Sequence, residues 1–273
     1  MGAKLRQEFS GRVVEKQKFD DFTISIIHFD SCLSNDWHFH DKTLICTVVI
    51  GSYRDVSTKH IQELTPGKIR CYQKGEAHQN IPIDLHSVVL IVELEDRFFN
   101  DQISRNNFTL DELVNLDLIQ MYLDLITKRI MQPKDLVSKL RLAFQGQVST
   151  EYDKRANEIK AVLNDRWNEF PSLAELSSVL KIHPVTISKY FSKAIGITIS
   201  EYVRKIKIKR AVLVILNTEK TMAEIAFACG FSDQSHMIRL VKSYMGYTPG
   251  HIRVLSQENQ SRFKHLLQEN YNN

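Results

Sequence analysis

No stretch of the 273 residues approaches eighteen consecutive apolar positions, which excludes a membrane-spanning helix of ordinary length. The opening "MGAKLRQEFS" lacks the apolar core of a signal peptide, and Arg6 stands where a myristoylation motif wants Ser or Thr. Cysteine is scarce: there are four, Cys32, Cys46, Cys71 and Cys229, and no pair has Cys-x-x-Cys spacing. They read as reduced, mostly buried thiols of a cytoplasmic protein.

What the chain does have is the apolar and charged content of a soluble globular protein, and enough length for two domains with separate cores. Its net charge of +4 conceals an asymmetry. Residues 154–255 carry 16 Lys or Arg against 8 Asp or Glu, whereas residues 1–153 carry 18 against 22. A basic half joined to a mildly acidic one suits contact with a polyanion.

The first hundred residues are strand-like. "FTISIIHF", "KTLICTVVIGSY" and "SVVLIVEL" are short, rich in Ile, Val and Thr, and bounded by turn residues such as Pro66-Gly67 and Lys74-Gly75. They predict a small antiparallel barrel or sandwich. After Phe99 the period changes. Over 110–131, Leu113, Leu116, Ile119 (or Gln120), Leu123 and Ile126 fall at helical spacing, an apolar stripe that fits either self-association or the protein's own β-region. "KDLVSKLRLAF" begins another helix, and the polar run 145–154 is the predicted linker. From Ala156 onward the pattern is helical throughout.

Three helix starts share one chemistry. Ser172…Glu175, Thr198…Glu201 and Thr221…Glu224 each fit a capping box, in which a hydroxyl accepts an early helical N–H and the glutamate reaches back to the cap. The third opens "TMAEIAFACGFSDQSHMIRLVKSYMGYTPGHIR", residues 221–253, where Gly230 supplies a left-handed turn, Phe231 inserts between two helices and Ser232 is the expected cap of the second. This is the grammar of a helix-turn-helix. In the second helix, predicted over 233–244, Met237, Leu240, Val241 and Tyr244 face inward. Gln234, Ser235, Ile238 and Arg239 are left open, and Lys242 suits a phosphate. Arg pairs with guanine and Gln with adenine through two hydrogen bonds each. A second copy lies upstream in "PSLAELSSVLKIHPVTISKYFSKAIG", 171–196, with Val185, Thr186, Ser188 and Lys189 exposed and Ile187 and Phe191 inward. Between the copies, 201–217 reads as a rigid helical spacer whose Arg204, Lys205, Lys207, Lys209 and Arg210 form, for the most part, a solvated face.

Residues 155–255 resemble the AraC/XylS family of bacterial transcription regulators. The resemblance is carried by Ile225, Ala226, Gly230, Phe231, Ser232, Ser235, His236, Arg239, Lys242, Gly246, Thr248, Pro249 and Arg253 at fixed spacing. It implies two helix-turn-helix units on a connecting helix, double-stranded DNA and RNA polymerase as partners, and a small-molecule effector. It implies base-reading roles for Val185, Ser188 and Lys189, and for Gln234, Ser235 and Arg239. There are departures from the family pattern: in the first unit Lys181 replaces the usual Gly and His183 the usual capping Ser, in the second Val241 replaces a core Phe, and in the connecting helix Lys207 stands for a common Arg.

"WHFHDKTLICTVVIG" and "PGKIRCYQKGEAHQN" resemble the two motifs of a cupin barrel. His38 and His40 alternate along a strand and share a face. Gly67, Gly75, His78 and Asn80 fall near the second motif, and Leu44 stands where metal-binding cupins have Glu, six residues before Gly51. The expectation is an effector pocket at Trp37, His38, His40 and His78, with no metal, no cofactor and no enzymatic activity. The fold expected is multidomain: an all-β cupin-like barrel over 1–100, a helical dimerisation or linker region over 101–150, an all-α DNA-binding domain over 154–255 and a tail over 256–273. The expected function is ligand-responsive regulation of promoters by a cytoplasmic homodimer without membrane contact. The alternatives are a metal-dependent cupin enzyme fused to a DNA-binding domain, and a regulator whose barrel only makes protein contacts.

Overall fold

The computed structural model describes residues 4–5, 11–30, 36–84, 86–99, 112–129, 134–144, 151–166 and 169–271. The chain divides into two compact units, one of residues 1–146, 215–218 and 250–273, the other of 147–214 and 219–249.

The first unit carries ten strands: β1 (Lys4–Leu5), β2 (Arg12–Lys18), β3 (Phe22–Asp30), β4 (His38–Phe39), β5 (Thr43–Ile50), β6 (Tyr53–Ser57), β7 (Ile61–Leu64), β8 (Ile69–Tyr72), β9 (His78–Pro82) and β10 (His86–Leu94). They form two five-stranded sheets, ordered β1-β4-β9-β6-β7 and β2-β3-β10-β5-β8. All pairings are antiparallel except β1 with β4. The three apolar runs of the sequence become β3, β5 and β10, the central strands of the second sheet. Their near-continuous hydrophobicity has a direct cause, since β5 is buried on both faces from Thr43 to Val49. One face meets the other sheet, where Ile27, Phe29, Leu44, Cys46 and Val48 pack with Tyr53 and Leu64.

Of the expected barrel or sandwich, no closed barrel is found among the described residues. Among the described residues no strand pairing joins the two sheets, so the β-region is a pair of packed sheets without a closed ladder. The chain passes from one to the other at Gly51, whose φ of +71° and close approach to His86 O leave no room for a side chain. The expected turns are present at Gly67 and Gly75, with φ of 81° and 79°.

Helix α1 (Glu112–Ile126) and helix α2 (Lys134–Phe144) follow. The predicted helix over 110–131 is shorter than expected: Lys128 takes a φ of 56°, and its predicted ends lie outside the described residues. Leu116, Ile119 and Leu123 of the apolar stripe are buried within the single chain, as are Leu118, Met121 and Tyr122 around them. The stripe is therefore taken up largely by packing within the chain, with a half-buried side at Leu113, Asp117, Gln120 and Asp124. Buried Asn115 ties it to the sheet by accepting from Thr47 Oγ1 at 3.2 Å and donating to Gly67 O.

The second unit is built on α3 (Glu151–Asp165), α4 (Leu173–Leu180), α5 (Pro184–Ile195), α6 (Ile199–Asn217), α7 (Met222–Ala228) and α8 (Gln234–Met245). Of the predicted linker 145–154, residues 145–150 lie outside the described residues and 151–154 are already helical. Helix α9 (Pro249–Tyr271) runs without a break into the segment set apart as a tail.

Candidate nucleic-acid interface and histidine cluster

Two of the three expected capping boxes close in full. Ser172 Oγ accepts from Glu175 N at 3.2 Å while Ser172 N donates to Glu175 Oε2 at 2.8 Å, and Thr221 and Glu224 repeat the exchange at 3.3 and 2.7 Å. The third is half made: Thr198 Oγ1 accepts from Glu201 N at 3.2 Å, but Glu201 instead accepts from Tyr244 OH at 3.1 Å. A long-range partner has taken the side chain that the local pattern reserved for the cap.

The corner between α7 and α8 is a Schellman turn. Phe231 N donates to Ala226 O at 2.9 Å, Gly230 N donates to Phe227 O at 3.0 Å, and Gly230 has φ of +71°. Phe231 and Ala226 are both buried. The cap of α8 is Asp233 and not the expected Ser232: Asp233 Oδ1 accepts from His236 N at 2.7 Å. Ser232 Oγ lies 2.8 Å from His236 Nδ1 and supports the cap from outside. In the upstream copy the left-handed position falls to Lys181, φ 54°, a cost the downstream glycine avoids. There His183 caps α5 by accepting from Val185 N at 3.4 Å, and Pro184 opens the helix.

The helix faces match expectation closely. On α8, Met237, Val241 and Met245 are buried, whereas Gln234, Ser235, Arg239 and Lys242 are exposed along one side. Leu240 and Tyr244, expected inside, are half-buried, as is Ile238, expected on the open face. On α5, Ile187 and Phe191 are buried, Val185 and Lys189 exposed, Thr186 and Ser188 half-buried. Both helices end in a left-handed glycine, Gly196 and Gly246, whose N–H groups donate to Ser192 O and Lys242 O. The two copies are thus repeated in capping as well as in pattern.

The cations of α6 are not a solvated face. Lys209 is buried, Lys207 donates to Gly230 O and lies over the Phe170 ring, and Lys205 pairs with Glu201. Only Arg204 of the five is exposed. Sequence reasoning missed this, because a cation at helical spacing gives no sign that a carbonyl at the end of another helix awaits it.

In the first unit the structure brings His38, His40 and His78 together. All three are buried, and their ligand atoms lie within 4.8 Å of one another. The register of β4 and β9 sets His38 opposite His78, with ring centroids 4.3 Å apart, and His40 is 5.1 Å from each. Gly75 N donates to His40 O at 2.8 Å, so the turn after β8 anchors His40 just beyond the end of β4. Burial, reinforced by the other two rings, pulls His40 down to about 3, and burial likewise pulls His78 down to about 4. Both rings are therefore neutral at physiological pH. The cavity here is about 10 Å³, the size of one water by the same measure. It is lined by the three histidines and Asn80, with Phe29, Leu44, Tyr53 and Tyr72 filling the space an organic effector would need. Trp37 is half-buried and is not among the lining residues.

A polar network behind this cluster also escaped the sequence. Fully buried Asp55 accepts from Arg70 Nε at 3.0 Å, Tyr72 OH lies 3.0 Å from its other oxygen, and His60 Nε2 is 3.1 Å away. Arg70 also binds Glu76, and the Tyr72 ring stacks on His78 at 4.0 Å. These residues come from β6, β8 and the turn before β9, and no spacing along the chain connects them. The buried thiols Cys46, Cys71 and Cys229 are free, and burial pushes Cys71 up to about 12. Cys32 lies outside the described residues.

Residues 176–254 match a family described as a helix-turn-helix domain. The chain is similar to the Msm operon regulatory protein of Streptococcus mutans, with 23% identity over 45% of each chain. It is also similar to the transcriptional activator RhaS of Klebsiella pneumoniae, with 24% identity over 43% of this chain and 42% of that protein. These two likenesses span less than half the length of either relative. A longer one, at 22% identity over 79% of this chain and 86% of the other, links it to the transcriptional activator RhaR of Mannheimia succiniciproducens. Two capped bihelical units with exposed polar faces on α5 and α8, within the residues that this family model matches, make this part of the chain a helix-turn-helix domain, as the AraC/XylS resemblance of its sequence implied.

Proposed function

We propose that the protein is a sequence-specific DNA-binding transcription regulator whose β-rich unit acts as the sensor. The observation that carries this is the exposed face of α8, where Gln234, Ser235 and Arg239 stand at the N-terminal end of a helix held by the Gly230 corner. Side chains at that end of a recognition helix reach base edges in the major groove. Val185, Thr186, Ser188 and Lys189 play the same part on α5, and Lys242 meets a phosphate. A net positive charge over 154–255 supplies the sequence-independent attraction to the duplex. The relatives named as activators and as an operon regulator support the same reading for this chain.

Under this reading the protein works in the cytoplasm on double-stranded DNA and RNA polymerase, as a homodimer whose contact surface lies elsewhere than the buried stripe of α1. The cupin-like description of residues 1–100 belongs here too. His38, His40 and His78 at a crossing of packed strands, with Leu44 beside them, support it. Selection from random duplex oligonucleotides with the full chain is the test. Recovery of a common motif, bound in gel shift with an affinity that falls steeply with salt, is the expected result; recovery of no motif overturns the reading.

A further inference from the structure

Three buried imidazoles converge on a cavity that holds one water-sized occupant. Their proton positions follow from their partners. His38 Nδ1 lies 3.0 Å from Asp36 O, and His78 Nδ1 lies 3.0 Å from Glu76 O. A backbone carbonyl only accepts, so Nδ1 carries the proton in both rings and Nε2 is left with the lone pair. Nε2 of His78 is buried and has no hydrogen-bond partner among the described residues. A buried polar atom without a partner calls for an occupant.

The arrangement around the rings is that of a metal ligand set. A ligating histidine characteristically donates its second ring N–H to a carbonyl or carboxylate, which fixes tautomer and direction. His38 and His78 both do so through the residue two positions earlier. For His78 the residue that supplies the carbonyl is itself held by its side chain: the Glu76 carboxylate accepts from Gln73 N at 2.9 Å and from Arg70, and Arg70 is anchored on buried Asp55. Tyr72 stacked on the ring removes its remaining freedom. Imidazole nitrogens bind zinc at about 2.0–2.1 Å, which places tetrahedral ligand atoms roughly 3.4 Å apart, so a closure of about an ångström brings the three into range.

We propose that His38, His40 and His78 form a mononuclear site for a first-row divalent transition ion, Zn²⁺ in the first instance, with a fourth position open to water or a small lone-pair donor. Three neutral nitrogens and no carboxylate select zinc, nickel, copper or ferrous iron over magnesium and calcium, which require oxygen ligands. Leu44 lines the cavity and adds no fourth ligand, and Cys46, also in the lining, stands outside the ligand cluster. The cavity volume excludes a sugar-sized effector and admits the ion. Control of DNA binding by this ion rests on the function proposed above; binding of the ion does not.

The test uses full-length protein stripped by a chelator and titrated with Zn²⁺ and, separately, Co²⁺. One tightly held equivalent per chain after gel filtration is expected, with a rise in melting temperature and the visible absorption of nitrogen-ligated Co²⁺. His78→Gln should lower affinity by more than about 100-fold, beyond the 10–100-fold typical of losing an outer partner, while His183→Gln on the surface should leave it unchanged. If His78→Gln melts early without metal, His38→Gln carries the comparison. Sub-stoichiometric binding of Zn²⁺, Co²⁺, Ni²⁺ and Fe²⁺ alike, or wild-type affinity in both folded variants, overturns the site. A bound equivalent in a protein that selects no DNA motif would overturn the regulator and leave the site standing. A bound equivalent with unchanged affinity for a selected motif would overturn control by the ion alone.

Discussion

Arg239 and Lys242 lie one helical turn apart on the exposed side of α8, and their chemistry separates their roles. A guanidinium at the groove end of the helix makes two directed bonds to a base. Arg239→Ala is therefore expected to cost ~1–3 kcal/mol for the selected motif and to relax preference at one base pair. A competition gel shift against permuted motifs reads both effects, and unchanged preference would remove Arg239 from the base-reading set. An ammonium on the flank meets a phosphate. Lys242→Ala should weaken binding evenly across sequences and reduce the salt slope by about 1. Both exposed positions were legible in the sequence, because a helical period of 3.6 with alternating apolar and polar residues allows only one buried side. Asp233 was not legible as the cap, since Ser232 and Asp233 are both good caps and only the turn geometry of Gly230 and Phe231 decides between them.

At the scale of elements, helix ends and turns in both units depend on a few conformations and charges. Backbone N–H groups at the caps hold the carboxyls of Glu175, Glu224 and Asp233 below their ordinary values of 4.5, 4.5 and 3.8. A depressed folded-state value means that the stabilisation is complete above the ordinary value and is lost as pH falls from there through the lower, folded-state value. The melting temperature of the helical unit should drop in that window, and the double variant Glu175→Gln, Glu224→Gln should flatten the drop; an equal slope in variant and wild type removes the caps as its cause. In the β-unit, Gly51 has φ +71°, and a Cβ there would sit 2.4 Å from His86 O. Gly51→Ala should destabilise the fold by more than the ~1 kcal/mol of a left-handed alanine alone, because backbone must also move. Chemical denaturation reads it, and a loss below 0.5 kcal/mol would show that the passage between sheets can shift at little cost.

At the scale of the molecule, the repeated bihelical units predict a two-part DNA site. Recognition helices that share one face of the duplex contact grooves about 34 Å apart. Inserting about half a turn of DNA, ~5 base pairs, between the two contacted segments should weaken binding, and inserting a full turn should weaken it less. Affinity indifferent to such spacing would mean that one unit does the reading. The asymmetry of the copies indicates which: the α7–α8 corner has a glycine at its left-handed position, whereas the α4–α5 corner strains Lys181 into it.

The sequence by itself determined the long central strands β3, β5 and β10, the helical character of the second half, the two bihelical corners and the outward-facing residues of α5 and α8. These are local properties, set by periodicity, by glycine where φ is positive and by hydroxyl and carboxylate groups at helix starts. Only the tertiary structure decided that the apolar stripe of α1 packs largely within its own chain, that Lys207 and Lys209 face inward, and that the strands form two sheets without a closed ladder among the described residues. It alone placed Asp55, Arg70, Tyr72 and Glu76 behind the histidines and reduced the expected effector pocket to the volume of one ion or water. Those outcomes depend on which faces meet across strands and helices far apart in the chain. The free energy of such meetings comes from buried area and satisfied polar groups, neither of which is written at any single position.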